Sequence, residues 1–159
     1  MEKIKWSLEI PIAAITAALY FVLGFFLQPI GFLSLQFRVA EILIGIVIIF
    51  PIGGIIGNVL GVFIVNIFSP LGALDLISAP VNIIALLPLA LLRNEMVWKY
   101  VGAVIYAAII SLYVAILLYY IIKLPVWISF IQVFISETIL SILGVLIFTI
   151  IKHNLRHIL

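Results

Sequence analysis

Long apolar runs, interrupted at short intervals by proline, glycine or charge, dominate this chain. The interruptions read QPIG, PIGG, SPLG, RNE and KLP, and proline and glycine commonly end helices. Between them the pattern predicts six apolar helices, covering residues 7–27, 37–50, 52–68, 74–92, 97–122 and 126–151. A helix crosses the bilayer with about 20 apolar residues, so we predict an all-α membrane protein, a bundle of six transmembrane helices.

The composition agrees with a chain whose outside faces lipid. Hydrophobic residues make up 67% of the sequence and charged residues 9%, whereas a water-soluble domain carries about 25% charged residues. No stretch is long and polar enough for a soluble domain, so we expect a single domain over residues 1–159. The absence of cysteine excludes disulfides and thiolate metal sites.

The basic residues decide the number of spans and their orientation. Residues 38–68 could instead form one kinked helix, which would leave five spans. With six spans both termini share one side, and that side holds six of the eight basic residues. Positive charge marks the cytoplasmic side, so we predict a multi-pass protein of the cell membrane with both termini in the cytoplasm. The six residues are Lys3, Lys5, Arg93, Lys99, Lys152 and Arg156.

Motifs and charge exclude several classes of function. The chain lacks the His-Glu-x-x-His, Gly-x-Ser-x-Gly and phosphate-loop signatures, so we expect no enzyme and no catalytic residue. His153 and His157 have a spacing that could suit a metal, but they lie in a basic tail without an acidic partner. We therefore expect neither a metal nor a cofactor. The net charge of +2, with bases at the ends of spans, argues against nucleic-acid binding.

Two groups of small residues mark places where helices can approach closely, because helices in lipid rely on small side chains for tight packing. Gly53, Gly57 and Gly61 are spaced four apart, and we assign them to packing within the bundle. The second group forms overlapping Ala-x-x-x-Ala pairs in the first span. Its spacing fits internal packing and docking onto a separate membrane subunit equally well. This group comprises Ala13, Ala14, Ala17 and Ala18.

Polar side chains in loops one and three, and at the span ends beside them, gather in the outer half of the membrane. Arg38 and Glu41 are three apart, so on a helix they share a face and can pair, as a structural ion pair or as the lining of a pocket. Asp75 could cap the fourth span or reach the same pocket. Asn66 and Asn82 add hydrogen-bonding groups at this depth.

The sixth span has a polar face of its own, formed by Ser129, Gln132, Ser136 and Glu137. Glu137 is the deepest carboxylate, and an ionisable residue at such a depth is a functional candidate. A partner such as Arg38, or a protonated carboxyl bonded within the bundle, would instead give it a structural role. The inner halves of the spans are nearly all aliphatic apart from one asparagine. This favours a receptor that captures a solute over a channel, which needs polar lining throughout.

Two stretches of the chain resemble a known family. Residues 36–43 read QFRVAEIL and residues 66–75 read NIFSPLGALD, with spaced glycines between them. Together they are similar to the queuosine-precursor transporter family of the QueT type, whose members are substrate-binding S components of energy-coupling factor (ECF) transporters. The resemblance covers about residues 13–82, half of the chain.

The resemblance implies a six-helix subunit that binds a micronutrient from outside. Such subunits dock onto a transmembrane coupling subunit, which two cytosolic ATPases drive. In that superfamily an Ala-x-x-x-Ala face of the first helix makes the contact, and Ala14 with Ala18, or Ala13 with Ala17, matches it here. The implied ligand is a 7-deazaguanine such as preQ0 or preQ1.

The implied ligand suggests which residues would contact it. A guanine-like edge presents two adjacent N–H donors, which one carboxylate accepts together; Glu137, Asp75 and Glu41 are the candidates. An amide could meet the ring carbonyl, and Tyr106 or Tyr113 could stack on the heterocycle. The expected substrate-binding residues are Gln36, Arg38, Glu41, Asn66, Asp75, Asn82, Gln132 and Glu137.

Two alternatives stay open at this point. The same architecture could carry another vitamin or purine-like solute. A structural or assembly membrane protein would need no ligand, and its charged residues would only pair with one another, without a cavity between them.

Overall fold

A computed structural model describes residues 6–27 and 37–155, and the regular structure of this part is helical without a strand. The elements are α1 (Trp6–Phe26), the 3₁₀ helix η1 (Val39–Ile48), α2 (Pro51–Ile67), the short 3₁₀ helix η2 (Ala73–Ile77), α3 (Ser78–Leu92), α4 (Trp98–Ile122) and α5 (Val126–Leu155). Because η2 runs directly into α3, the seven elements make six helical segments. Each begins and ends within four residues of a predicted helix, so the all-helical prediction is confirmed.

Four of the segments are long and apolar enough to cross a membrane: Trp6–Phe26, Ala73–Leu92, Trp98–Ile122 and Val126–Leu155. The helices Val39–Ile48 and Pro51–Ile67 are apolar but shorter. Large hydrophobic side chains are exposed along all four long segments. Such an apolar surface is suited to lipid rather than to water.

The second segment, η1, differs in type from the predicted α-helix. A 3₁₀ helix rises about 2.0 Å per residue against about 1.5 Å for an α-helix, so the ten residues of η1 reach about 20 Å instead of about 15 Å. Side chains three apart lie in one row. Glu41, Ile44 and Val47 form such a row, and all three are buried because η1 packs against α1, α2, α3 and α5.

The spaced glycines of α2 bring it against α1, as the sequence predicted. A Cβ atom on Gly57 would lie 2.6 Å from the Thr16 Cβ, and one on Gly61 would lie 2.5 Å from the Tyr20 Cβ. Gly53 meets the first turns of α1 in the same way. Contacts that advance together along both helices show that α1 and α2 run parallel.

A second pair of glycines, which the sequence analysis did not single out, sets the crossing of η1 and α5. A Cβ atom on Gly45 would lie 2.2 Å from the Gly144 carbonyl oxygen, and one on Gly144 would lie 2.3 Å from the Ile42 carbonyl oxygen. The two backbones therefore touch where neither can carry a side chain.

Contacts between helix termini define two opposite ends of the structure. Lys152 near the end of α5 donates to the Ile48 carbonyl oxygen and to Asn94 Oδ1, both at 3.1 Å. Arg38, just before η1, contacts Asp75 of η2 at the opposite end. We call these the Lys152 end and the Arg38 end. The six segments alternate in direction, so Trp6 and Leu155 both lie toward the Lys152 end.

Candidate binding site

Buried polar side chains from all six helical segments meet at the Arg38 end. We call them the polar cluster. Its members are Tyr20, Arg38, Glu41, Asn66, Asp75, Asn82, Tyr106 and Glu137. The Arg38 side chain is 12% exposed, and every other member is at most 3% exposed. Polar groups buried this deeply need hydrogen-bond partners, so their bonding shows how the cluster works.

Arg38 forms an ion pair with Asp75 at 3.4 Å, and not with Glu41 as the sequence spacing suggested. Ser69 donates a hydrogen bond of 2.6 Å to Asp75 Oδ2, the same oxygen that Arg38 contacts. The Asp75 carboxylate does not cap a helix, because the start of α3 has no side-chain cap. Its other oxygen, Oδ1, is buried without a partner among the described residues.

Glu41 is instead bonded to two tyrosines. The Tyr20 and Tyr106 hydroxyls lie within hydrogen-bond distance of its two carboxyl oxygens. The Tyr106 oxygen also lies 2.9 Å from Asn82 Oδ1, and Asn82 Nδ2 donates to the Ser78 carbonyl oxygen at 3.1 Å. The inward-facing row of η1 side chains places Glu41 at the centre of this chain of contacts. Tyr106 thus contributes its hydroxyl, whereas the sequence suggested a stacking role for its ring.

Glu137 on α5 contributes a buried carboxyl group to the cluster. Its side chain is 1% exposed, and its Oε2 atom has no hydrogen-bond partner within residues 6–27 and 37–155. It lies within electrostatic range of Glu41 and Arg38. A buried polar atom left unpaired costs about 1–3 kcal/mol, so a hydrogen-bond donor at this oxygen would stabilise the cluster.

Four other residues were predicted to contact the ligand: Asn66, Gln132, Tyr113 and Gln36. Asn66 donates to the Asp75 carbonyl oxygen at 3.0 Å and to Ser78 Oγ, and its Oδ1 has no partner in the described part. Gln132 is half-buried on α5, about one turn before Glu137. Tyr113 donates to the Leu74 carbonyl oxygen at 2.7 Å. Gln36 lies outside the described residues.

A small pocket opens beside Arg38 between α1, η1 and α2. Its volume is about 10 Å³, which is room for about one water molecule. It is lined by Tyr20, Leu23, Gly24, Leu27, Arg38, Val39, Ala40 and Val65. A larger guest would have to separate these side chains.

The comparison with known families decides the class of protein. The chain matches the family described as "QueT transporter" over residues 10–153, nearly its whole length. It belongs to the QueT transporter family. This match extends the resemblance seen in the first half of the sequence to the part that contains Glu137. No curated protein and no solved structure matches the chain.

Membership of the QueT transporter family fits the apolar surface. A transporter with four long apolar helices is a multi-pass membrane protein. Membership in a transporter family also implies that the chain is not an enzyme. Within the described part of this QueT protein, no three His, Cys, Asp or Glu residues are grouped to hold a metal ion.

The alanines of α1 divide between two faces. Ala13 and Ala17 are 8% and 7% exposed and pack toward α2, whereas Ala14 and Ala18 are exposed. Beside them an open groove of about 290 Å³ runs between α1 and α2. It is lined by Trp6, Glu9, Ile10, Ala13, Ala14, Ile52, Ile56 and Leu60.

Tyr20 belongs to the polar cluster although it was not among the binding residues predicted from the sequence. Tyr20 lies in an apolar helix, 21 residues from its partner Glu41. Its spacing from Ala13 and Ala17 on the α2-facing side of α1 was the available signal. A buried tyrosine hydroxyl usually needs a polar partner, and Glu41 supplies it here.

Proposed function

We propose that this chain is the substrate-binding S subunit of an ECF-type importer, which captures a queuosine precursor from outside the cell. The substrate would be a 7-deazaguanine such as preQ0 or preQ1. Membership of the QueT transporter family supports the transport role. The observation that carries the binding role is the buried, unpartnered carboxyl oxygen of Glu137 beside Glu41.

Hydrogen-bonding chemistry supports a guanine-like ligand. The unpartnered oxygens of Glu137, Asp75 and Asn66 are all acceptors, so the cluster offers places for a donor-rich guest. A guanine-like edge has two adjacent N–H donors that fit a single carboxylate, as a charge-assisted pair of bonds. Asp75 and Glu137 each present an unpartnered oxygen for such a contact, so one can accept the edge while the other accepts a further donor of the ligand. Gln132 is half-buried about 140° around α5 from Glu137, and we assign it to the edge of the site as a donor to the ring carbonyl.

The small volume beside Arg38 requires the cluster to open when the ligand enters. Sites for small molecules usually occupy about 300–1,000 Å³, whereas the pocket measures about 10 Å³. Tyr20 and Arg38 line this pocket and also belong to the polar cluster, where Tyr20 bonds Glu41 and Arg38 pairs with Asp75. We infer that ligand binding replaces part of this hydrogen bonding with bonds to the ligand.

The charges indicate the orientation in the membrane. Arg93, Lys99 and Lys152 lie toward the Lys152 end, and positive charge marks the cytoplasmic side. We therefore propose six spans in the cell membrane, with both termini in the cytoplasm and the polar cluster facing outward. This arrangement suits the capture of an external solute.

The exposed face of α1 supports docking onto a transmembrane coupling subunit, which cytosolic ATPases would drive. Ala14 and Ala18 lie one turn apart on this face, next to the groove between α1 and α2. Small residues allow a partner helix to approach closely in lipid. Ala13 and Ala17 already serve the contact with α2, so we assign docking to the exposed pair.

Binding of a ligand panel to the purified protein tests the proposed function. The panel contains 7-deazaguanines, guanine and common vitamins. We expect the 7-deazaguanines to bind, and Glu137→Ala to weaken their binding about 10- to 100-fold, as expected for a hydrogen bond to a charged group. Glu95→Ala, in an exposed loop, is the matched control and should bind normally.

The other outcomes separate the alternatives. Binding of a vitamin or another purine instead of a 7-deazaguanine would keep the S-subunit role and change the substrate. Absence of binding across the panel would favour a structural or assembly protein. Unchanged affinity of the Glu137 variant would remove α5 from the site.

A further inference from the structure

The hydrogen bonds of Tyr106 show where one proton lies in the polar cluster. Its oxygen contacts both Glu41 Oε2 and Asn82 Oδ1, but a tyrosine hydroxyl has a single proton to donate. If the proton goes to Glu41, the oxygens of Tyr106 and Asn82 face each other at 2.9 Å with no proton between them. If it goes to Asn82, Glu41 must supply the proton for its own contact with Tyr106.

The neighbouring groups favour the second arrangement. Turning the Asn82 amide would let its nitrogen donate to Tyr106. Its oxygen would then face the Ser78 carbonyl oxygen, which now accepts from Asn82 Nδ2 at 3.1 Å. The single Tyr20 proton already serves the other oxygen of Glu41. The bonding pattern is therefore complete only when Glu41 is a carboxylic acid that donates to Tyr106.

The charge balance of the cluster places a second proton, in addition to that of Glu41, on Glu137. With Glu41 neutral, Arg38 and Asp75 balance each other in their ion pair. An ionised Glu137 would then be a buried charge without a hydrogen-bond partner on Oε2 in the described part. Burial of an unpaired carboxylate costs far more than burial of the acid. Arg38, Glu41, Asp75 and Glu137 are therefore electrically balanced only when Glu137 is protonated as well.

We propose that the site selects a cationic ligand, whose ammonium group replaces the proton of Glu137. The inference rests on the proposed function and deepens it, because it chooses between two kinds of 7-deazaguanine. One carries an aminomethyl group, which is a cation at neutral pH, and the other carries an uncharged nitrile. In the exchange the carboxylic acid and the external ammonium ion give a carboxylate–ammonium pair and one proton released to water.

Titratable and charged groups from every side of the cluster determine how easily this proton is exchanged. The amides of α2 and α3 do not titrate, so they contribute orientation and not charge. Because an alkylammonium keeps its proton up to about pH 10, only the carboxyl groups change state near neutrality. The titratable or charged groups in and beside the cluster are Tyr20, Arg38, Glu41, Asp75, Tyr106, Tyr113 and Glu137.

Calorimetric titration of the purified protein tests the proposal. The aminomethyl and nitrile 7-deazaguanines are each titrated at one pH in two buffers of different ionisation heat. We expect the amine to release about one proton and to bind at least tenfold more tightly than the nitrile. Its affinity should rise by up to tenfold per pH unit between pH 6 and 8, because one proton leaves on binding. The nitrile should show neither effect.

Matched variants locate the exchanged proton. Glu137→Gln removes the only group that we expect to lose a proton, so the release and the rise of affinity with pH should both disappear. Glu95→Gln makes the same chemical change in an exposed loop and should preserve both. Proton release that persists in the Glu137 variant would overturn the assignment.

The outcomes also separate this inference from the proposed function. If both ligands bind equally and without proton release, the inference is wrong and the queuosine-precursor role stands. If neither ligand binds, both fall together. Tighter binding of the nitrile would likewise contradict selection of a cation.

Discussion

Glu41 on η1 and Tyr106 on α4, 65 residues apart in the sequence, share a hydrogen bond at the centre of the polar cluster. Tyr20 bonds the other carboxyl oxygen, and Asn82 contacts the far side of the Tyr106 hydroxyl. One carboxyl group thereby links α1, η1, α3 and α4. Stability at this place should depend on keeping the hydrogen bonds rather than on keeping a charge.

Two substitutions of Glu41 test this dependence. In Glu41→Gln the amide nitrogen can donate to Tyr106 while the oxygen accepts from Tyr20, so we expect little loss of stability. Glu41→Leu removes the carboxyl partner of Tyr20 and leaves Tyr106 bonded to Asn82 alone, so it should cost at least about 1–3 kcal/mol. Thermal unfolding in detergent, followed by circular dichroism, measures the difference. Equal destabilisation by the two changes would contradict a protonated Glu41.

The crossing of η1 and α5 gives a second prediction. Gly45→Ala or Gly144→Ala would place a methyl group about 2.2–2.3 Å from a backbone carbonyl oxygen. The helices must separate to relieve this contact, and overpacking of this kind typically costs about 1–3 kcal/mol or more. We expect lower unfolding temperatures and less folded protein in the membrane.

The neighbouring residue supplies the control for the glycine variants. Leu143 is exposed on α5, so Leu143→Ala changes side-chain volume on the same helix without entering the crossing. Its unfolding temperature should stay close to that of the unchanged protein. If the glycine variants are as stable as this control, the close approach of η1 and α5 is wrong.

Much of the fold was predictable because apolar runs and their proline and glycine breaks carry the helix boundaries. The glycines of α2 also indicated their own packing, since regular spacing on one face is a local signal. The type of η1 was not predictable in this way. A mostly apolar stretch of ten residues fits an α-helix as well as a 3₁₀ helix, and only the surrounding four segments decide how far η1 must reach. The Gly45–Gly144 contact depends on the same long-range packing.

The site was predictable as a set of residue types at one depth, but not as a set of pairs. Glu41, Asp75 and Glu137 stood out because carboxylates are rare in apolar spans. Spacing suggested that Arg38 pairs with Glu41, whereas the turn before η2 brings Asp75 to Arg38 instead. Tyr20 gave no motif at all. Partners chosen by tertiary packing leave no local pattern in the sequence.

The ion pair between Arg38 and Asp75 leads to a third prediction. Asp75→Asn keeps an oxygen that can accept from Ser69 but removes the charge opposite Arg38. Removing one partner of a buried pair typically costs about 3–5 kcal/mol, and the partial exposure of Arg38 places this pair at the lower end. Ser69→Ala removes only a hydrogen bond and should cost about 0.5–1.5 kcal/mol. Chemical denaturation in detergent compares them, and equal costs would show that the ion pair contributes nothing.

The two faces of α1 allow the proposed docking surface to be tested apart from folding. Ala14→Trp combined with Ala18→Trp adds bulk only to the exposed face, so the protein should fold and bind its ligand while losing at least tenfold in co-purification with a coupling subunit. Ile139→Trp, at an exposed position of α5, should co-purify normally. Ala13→Trp should instead reduce folding itself, because Ala13 packs against α2. Normal assembly of the Ala14 and Ala18 double variant would remove the docking surface from this face, since a partner helix that approaches through small residues cannot accommodate two indole rings.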